Sequence, residues 1–117
     1  MLREEQLVGK LVEGLDEVER ACGVAYYCAE PIKRGALLDV PRLVARAPSD
    51  ALLAFVDRDP TANWGHSSRY VLLDRETGRE VLSIEAQLPP FGPSDKRQWR
   101  VAYRAPSVPE AVIAVRP

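Results

Sequence analysis

The chain has 117 residues, of which 46% are hydrophobic and 28% charged, and its 16 basic and 17 acidic residues give a formal net charge of −1. This length predicts a single domain spanning 1–117, and the apolar content excludes a disordered chain. Since the charges are mixed, the basic stripe typical of nucleic-acid binding is missing, and no nucleic-acid partner is expected.

The first six residues, MLREEQ, lack the basic start and apolar core of a signal peptide. No apolar run approaches the ~20 residues of a membrane span. We therefore expect a cytoplasmic protein with no membrane partner. Cys22 and Cys28 have a spacing that matches neither a redox C-x-x-C motif nor half of a zinc ribbon. We expect both thiols to be reduced, buried and structural.

The strongest periodic signal lies in 3–22 and predicts one amphipathic helix ending at Gly23. Gly9 and Gly14 oppose this prediction, because each costs about 1 kcal/mol relative to Ala inside a helix. The apolar stripe comprises Leu7, Val8, Leu11, Leu15, Val18 and Cys22. Most charged side chains of the segment, including Glu19, are expected to lie away from that stripe, with Asp16 and Arg20 as a stabilising i,i+4 pair.

Beyond Gly23 the pattern changes to short apolar runs separated by Pro, Gly and Asp. Residues 24–29 predict a strand. Residues 37–47 contain Pro41 and are interpreted as an edge strand, a bulge, or a loop followed by a short strand. Residues 51–56 fit either a strand or, with Ser49 as a cap, a short helix.

The clearest β signal is the hairpin of 70–73 and 81–84, whose loop opens with Asp74 and ends near Gly78. Residues 97–104 alternate as a half-buried strand, and 111–115 predict a last buried strand. The fold prediction is therefore α+β, with an N-terminal helix packed on a mainly antiparallel β-sheet. The predicted core comprises Leu7, Leu11, Leu15, Val18, Tyr26, Phe55, Leu72, Ile84, Trp99, Val101 and Ile113.

The most suggestive stretch is 57–69, a predicted long loop with the one histidine of the chain. Its candidate binding residues are Asp57, Asn63, Trp64, His66 and Arg69. The structural alternative is that Trp64 fills the rim of the core while His66 caps a backbone group.

An enzymatic interpretation pairs His66 with Cys28 as nucleophile, and Asp57 or Asp74 would orient the imidazole. This would make a small hydrolase or transferase. A metal site using His66, Asp57 and Asp59 has weaker support, because Asp-x-Asp beside proline is common in loops. No phosphate-binding loop occurs, so no cofactor is expected.

The proline-rich segment 88–94 forms either a rigid surface loop or a contact segment with Phe91 as an apolar anchor. The preferred interpretation, by elimination, is a non-catalytic accessory or protein-interaction domain of a cytoplasmic complex. Its expected partner is another protein or a second copy of the chain.

Overall fold

The computed structural model describes residues 1–41, 43–62, 65–92 and 95–114. Within these residues the fold is α+β, as predicted. Two helices, α1 (Glu4–Glu13) and α2 (Glu17–Cys22), precede the strands, and a short 3-10 helix (Glu110–Val112) follows them. The strands are β1 (Val24–Cys28), β2 (Leu37–Val40), β3 (Leu43–Arg46), β4 (Ala51–Asp57), β5 (Ser68–Asp74), β6 (Glu80–Ala86) and β7 (Trp99–Arg104).

The main sheet has five strands in the order β6-β5-β4-β1-β7, and each neighbouring pair is antiparallel. Strand β4 lies at its centre, and all its residues are buried. Burial on both faces explains why 51–56 is a continuous apolar run, a pattern that periodicity alone cannot assign to a strand or a helix. Strands β2 and β3 form a separate two-stranded hairpin.

The sheet separates two apolar clusters. On one face, Leu7, Leu11 and Leu15 pack against side chains of β1, β4 and β5. This confirms the prediction that the leucines of the apolar stripe pack on the sheet. The other face is covered by the β2–β3 hairpin and by segments near the C-terminal end of the described chain. The predicted core residues Tyr26, Phe55, Leu72 and Trp99 are buried in this second cluster.

The predicted single helix over 3–22 is wrong, because the chain breaks between α1 and α2. Gly14 ends α1, and Asp16 begins α2 as its N-cap. The Asp16 carboxylate accepts from the Glu19 backbone N–H at 2.8 Å, and the Glu19 carboxylate accepts from the Asp16 N–H at 2.9 Å. This reciprocal cap changes the helical phase, so Val18 is 58% exposed while Glu19 is fully buried.

The guanidinium of Arg20 closes the junction between the two helices. It donates to the carbonyl oxygens of Val12, Glu13 and Leu15 at 3.0–3.1 Å. Val12 and Glu13 lie in the last turn of α1 and Leu15 follows its C-cap Gly14, in a region where helix carbonyls outnumber the backbone N–H groups that can pair with them. The basic side chain therefore stabilises the turn between the helices.

The β5–β6 hairpin is confirmed. The Asp74 carboxylate accepts from the backbone N–H groups of Glu76 and Thr77 at 2.7 and 3.1 Å, and Gly78 has a φ of +73°. In 37–47, Pro41 lies in the turn between β2 and β3. Asp, Gly and Pro are residues that favour turns, and they occupy the turn positions of both hairpins.

The predicted strand 111–115 is wrong. The N–H groups of Val112 and Ile113 bond to carbonyls three residues earlier, beginning at Pro109, so the chain turns into a 3-10 helix instead of joining the sheet. Val115 lies outside the described residues. Ile113 packs against the core and is only half-buried.

Two further core predictions fall on the edges of the main sheet. Val101, on edge strand β7, is 38% exposed, so its assignment to the core is wrong. Ile84, on edge strand β6, is half-buried and packs against the second cluster. An edge strand has a neighbour on one side only, which leaves its apolar side chains less covered than those of β4.

Candidate functional site

His66 is held by Asp57 at one end of the main sheet. Its Nε2 lies 2.7 Å from Asp57 Oδ1, which also accepts from the backbone N–H of Asp59 at 3.0 Å. The two side chains are only 10% and 4% exposed. Of the two aspartates proposed to orient the imidazole, Asp57 therefore makes the contact, but the pair is largely withdrawn from solvent.

The predicted loop 57–69 is shorter than expected, because Asp57 ends β4 and Arg69 belongs to β5. Asn63 and Trp64 lie outside the described residues. Pairing between the strands puts Arg69 opposite Val56, which faces the helices, and Asp57 opposite Ser68. Because successive strand residues alternate in direction, Arg69 lies on the opposite face of the sheet from the Asp57–His66 pair.

Arg69 belongs to an ion-pair network beneath α2, here called the Glu19 cluster and made of Glu19, Arg58, Arg69 and Glu85. Glu19 accepts from Arg69 Nε at 2.8 Å and Nη2 at 3.0 Å, and from Arg58 Nε at 2.9 Å. Arg58 also pairs with Glu85 through both terminal nitrogens, at 2.5 and 3.0 Å, and donates to the Ser67 hydroxyl at 2.8 Å.

Each charged side chain of the Glu19 cluster has an oppositely charged partner within the cluster. Hydrogen bonds to Glu85 and Glu19 raise the pKa of Arg58 above its ordinary value, although burial opposes this shift. Its hydrogen bond with Arg58 lowers the pKa of Glu85. Sequence reasoning missed this network, although Asp16 and Glu19 have the D-x-x-E spacing of a capping box.

Cys28 lies far from His66. In strand β1, Val24 pairs with Asp57, the residue that holds His66. Cys28 lies four residues further along the strand, which places it roughly 13 Å from Val24 at ~3.3 Å per residue. Burial also raises the pKa of Cys28, which disfavours the thiolate that a nucleophile needs. Cys28 is buried as predicted, but the same prediction for Cys22 is wrong, since it is exposed at the end of α2.

Phe91 packs into the second apolar cluster. Its ring centroid lies 4.9 Å from that of Tyr26, 5.6 Å from that of Trp99 and 5.7 Å from that of Phe55, each in an edge-to-face arrangement. The ring is half-buried. The proline-rich loop therefore uses Phe91 to close the core, and the binding role expected of this half-buried ring stays a prediction.

Two grooves open on the surface of the described residues. One, of about 350 Å³, lies where β6 ends and is lined by Ser67, Glu85, Ala86, Gln87 and Leu88. We call it the β6 groove. The other, of about 500 Å³, is more polar and is lined by Glu30, Asp39, Val40, Pro90, Asp95, Lys96 and Arg97. The β6 groove combines apolar and hydrogen-bonding side chains, as binding clefts commonly do.

In the part of the chain that the structure describes, no cluster of three or more His, Cys, Asp or Glu side chains is placed to hold a metal ion. None of its helices has the length and apolar content needed to cross a membrane. Comparison of the chain with protein-family models, with curated proteins and with solved structures gives no match.

Proposed function

We propose that this chain is a non-catalytic accessory domain of a cytoplasmic complex, which binds an extended segment of another protein along β6. The observation that carries this proposal is the position of β6 (Glu80–Ala86) at the end of the main sheet, with β5 as its one neighbour among the described strands. An edge strand presents backbone N–H and C=O groups to which a further strand can add.

The β6 groove supports the proposal because it continues from the end of the same strand. Its wall is fixed by two hydrogen bonds, from Tyr70 Oη to the Leu88 carbonyl at 2.9 Å and from the Gly65 N–H to the Gln87 carbonyl at 3.1 Å. Leu88 is 52% exposed and lines the groove together with Ala86. A preformed groove of this kind fits an apolar side chain of the bound segment.

The alternative, a hydrolase or transferase using His66 with Cys28, has less support. The bond between His66 and Asp57 is the arrangement that a general base needs. However, the thiol lies near the other end of β1, and its raised pKa favours the neutral form. This alternative therefore lacks the nucleophile that it names.

The proposal can be tested with peptides selected from a random library on the purified chain. We expect extended peptides with an apolar residue, and we expect Val81→Lys on β6 and Leu88→Lys in the β6 groove each to weaken their binding at least about tenfold. A charged side chain at either position opposes strand addition or the apolar contact. Val18→Lys, at a similarly exposed position on α2, is the matched control and should leave the affinity unchanged.

Equal affinity of the selected peptides for wild type and both β6 variants would contradict the proposal, as would a selection that yields no binding peptide. Labelling by an acyl or epoxide inhibitor that requires both His66 and Cys28 would instead support the enzymatic alternative.

A further inference from the structure

The β2–β3 hairpin has one buried and one exposed face. Leu38, Val40 and Leu43 point into the second apolar cluster and are at most 5% exposed. On the outer face, Leu37 is 55% exposed and Val44 is 71% exposed. Two large apolar side chains thus stand in solvent on a short hairpin whose inner face already anchors it to the core.

Strand pairing arranges four outer residues as the corners of a rectangle, here called the hairpin face. Leu37 pairs with Arg46, and Asp39 pairs with Val44. The apolar residues Leu37 and Val44 therefore occupy one diagonal, and the charged residues Asp39 and Arg46 occupy the other. All four are exposed.

We propose that the hairpin face binds the same face of a second copy of this chain, about a two-fold axis along the Leu37–Val44 diagonal. This axis places each apolar residue on its own counterpart. It also exchanges the other two corners, so Asp39 of each copy meets Arg46 of the other. The face is therefore complementary to itself in both charge and apolar contact, as an isologous interface requires.

The dimensions of a hairpin permit this arrangement. With strands ~4.8 Å apart and a rise of ~3.3 Å per residue, rotation about the diagonal makes the strands of the two copies cross at roughly 70°. This angle is nearer to the orthogonal class of sheet packing, at about 90°, than to the aligned class, at about 30°. In contrast, a two-fold axis parallel to the strands sets Asp39 against Val44, and one perpendicular to them sets Asp39 against Leu37. Both alternatives bury a charge against an apolar side chain.

The hairpin face is small, so the dimer is weak. Four side chains per copy cover far less than the ~800 Å² that each partner contributes to a stable interface. Association should therefore appear at high protein concentration and reverse on dilution. The hairpin face belongs to a different sheet from β6, and the inference does not depend on the proposed binding of a peptide segment.

The test is sedimentation equilibrium, or dilution followed by NMR, on two charge reversals. Asp39→Arg and Arg46→Asp should each weaken self-association at least about tenfold, because each puts like charges at both polar contacts. An equimolar mixture of the two variants should associate again, to within about threefold of wild type, since the charges of a mixed dimer are complementary at both contacts.

A cross-link gives an independent measurement in the Cys22→Ser background. Val44→Cys lies on the proposed axis, and mild oxidation should give a disulfide-linked dimer. Val18→Cys, which is similarly exposed on α2, should remain monomeric. Monomeric wild type at the highest concentration, a mixture that fails to associate, or equal cross-linking of the two cysteine variants would each overturn the inference. Peptide binding at β6 would be unaffected by any of these results.

Discussion

Glu19 and Arg69 are 50 positions apart in the chain, yet Glu19 Oε2 accepts a hydrogen bond from Arg69 Nε at 2.8 Å. The glutamate is fully buried, and the arginine side chain is 11% exposed. A second arginine, Arg58, contacts the same oxygen at 2.9 Å. These bonds connect α2 to strand β5 and to the residue that follows β4, so they determine how the helix lies on the sheet.

Replacing Glu19 should be among the most destabilising single substitutions between α2 and the main sheet. Glu19→Gln leaves Arg58 and Arg69 without their shared charge, and breaking a buried ion pair costs about 3–5 kcal/mol in the free energy of unfolding. Glu17→Gln, on an exposed position of the same helix, should change it by less than about 0.5 kcal/mol. Urea denaturation measures both, and equal stability of the two variants would contradict this role for Glu19.

The break between α1 and α2 predicts opposite outcomes for two residues of the apolar stripe. Leu15 is 5% exposed, so Leu15→Ala should cost about 2–5 kcal/mol. Val18 is 58% exposed, so Val18→Ala should lie within about 0.5 kcal/mol of wild type. Thermal unfolding of the two variants would distinguish this structure from a continuous helix, in which both substitutions would be costly.

Two glycines should respond to alanine in opposite directions. A Cβ at Gly9 meets no atom within 4 Å, and Gly9→Ala in the interior of α1 should stabilise the protein by about 0.5–1 kcal/mol. A Cβ at Gly23 would lie 2.8 Å from the carbonyl oxygens of Glu19 and Asp57. Gly23→Ala should therefore destabilise by about 1–3 kcal/mol. Chemical denaturation checks the pair, and a stabilising Gly23→Ala would show that the close approach is wrong.

Stability should decrease in acid, partly through Glu85. Its hydrogen bond with Arg58 lowers the Glu85 pKa below the ordinary 4.5. This contribution is present above the ordinary pKa and is lost as pH falls through the lower, folded-state value. Since the side chain is 70% exposed, solvent screening keeps the effect small. In Glu85→Gln, the dependence of unfolding free energy on pH should be shallower below pH 4.5. If the unfolding free energies of variant and wild type fall in parallel as the pH is lowered, Glu85 does not contribute to acid sensitivity.

The two thiols should react differently with a soluble disulfide reagent. Cys22 is exposed and Cys28 is buried. The native protein should therefore react rapidly with about one equivalent of the reagent, which releases a coloured thiolate that absorbance measures. Cys22→Ser should remove that fast phase and leave a slow one limited by unfolding or local opening. Fast labelling of Cys28 in the native protein would contradict its burial, and it would strengthen the enzymatic alternative.

Features fixed by local chemistry were predictable from the sequence. The turn from Asp74 to Gly78 depends on neighbouring residues, and the hairpin around it was found correctly. The helix break is also local, since Gly14 followed by Asp16 and Glu19 has the pattern of a stop and a new cap. The apolar spacing continues through the junction, so the periodicity favours one continuous helix although the caps indicate two.

Features formed by distant segments could not be predicted. Nothing local shows that Glu19 meets Arg58 and Arg69, because the contact depends on which strands lie under α2. Similarly, the β6 groove joins Ser67 to 85–88 across two strands. The hydrogen bond between Asp57 and His66 was one of two options in the sequence, and strand register decides between them. Pairing with a distant strand also determines which predicted core residues lie at an edge, as for Val101.

The most direct test of the central claim, that the edge of β6 binds an extended segment, is to locate a selected peptide by intermolecular nuclear Overhauser effects. We expect contacts between the peptide backbone and strand β6 (Glu80–Ala86), and between an apolar peptide side chain and Leu88. Contacts confined to His66 and its loop, or to the β2–β3 hairpin, would contradict it.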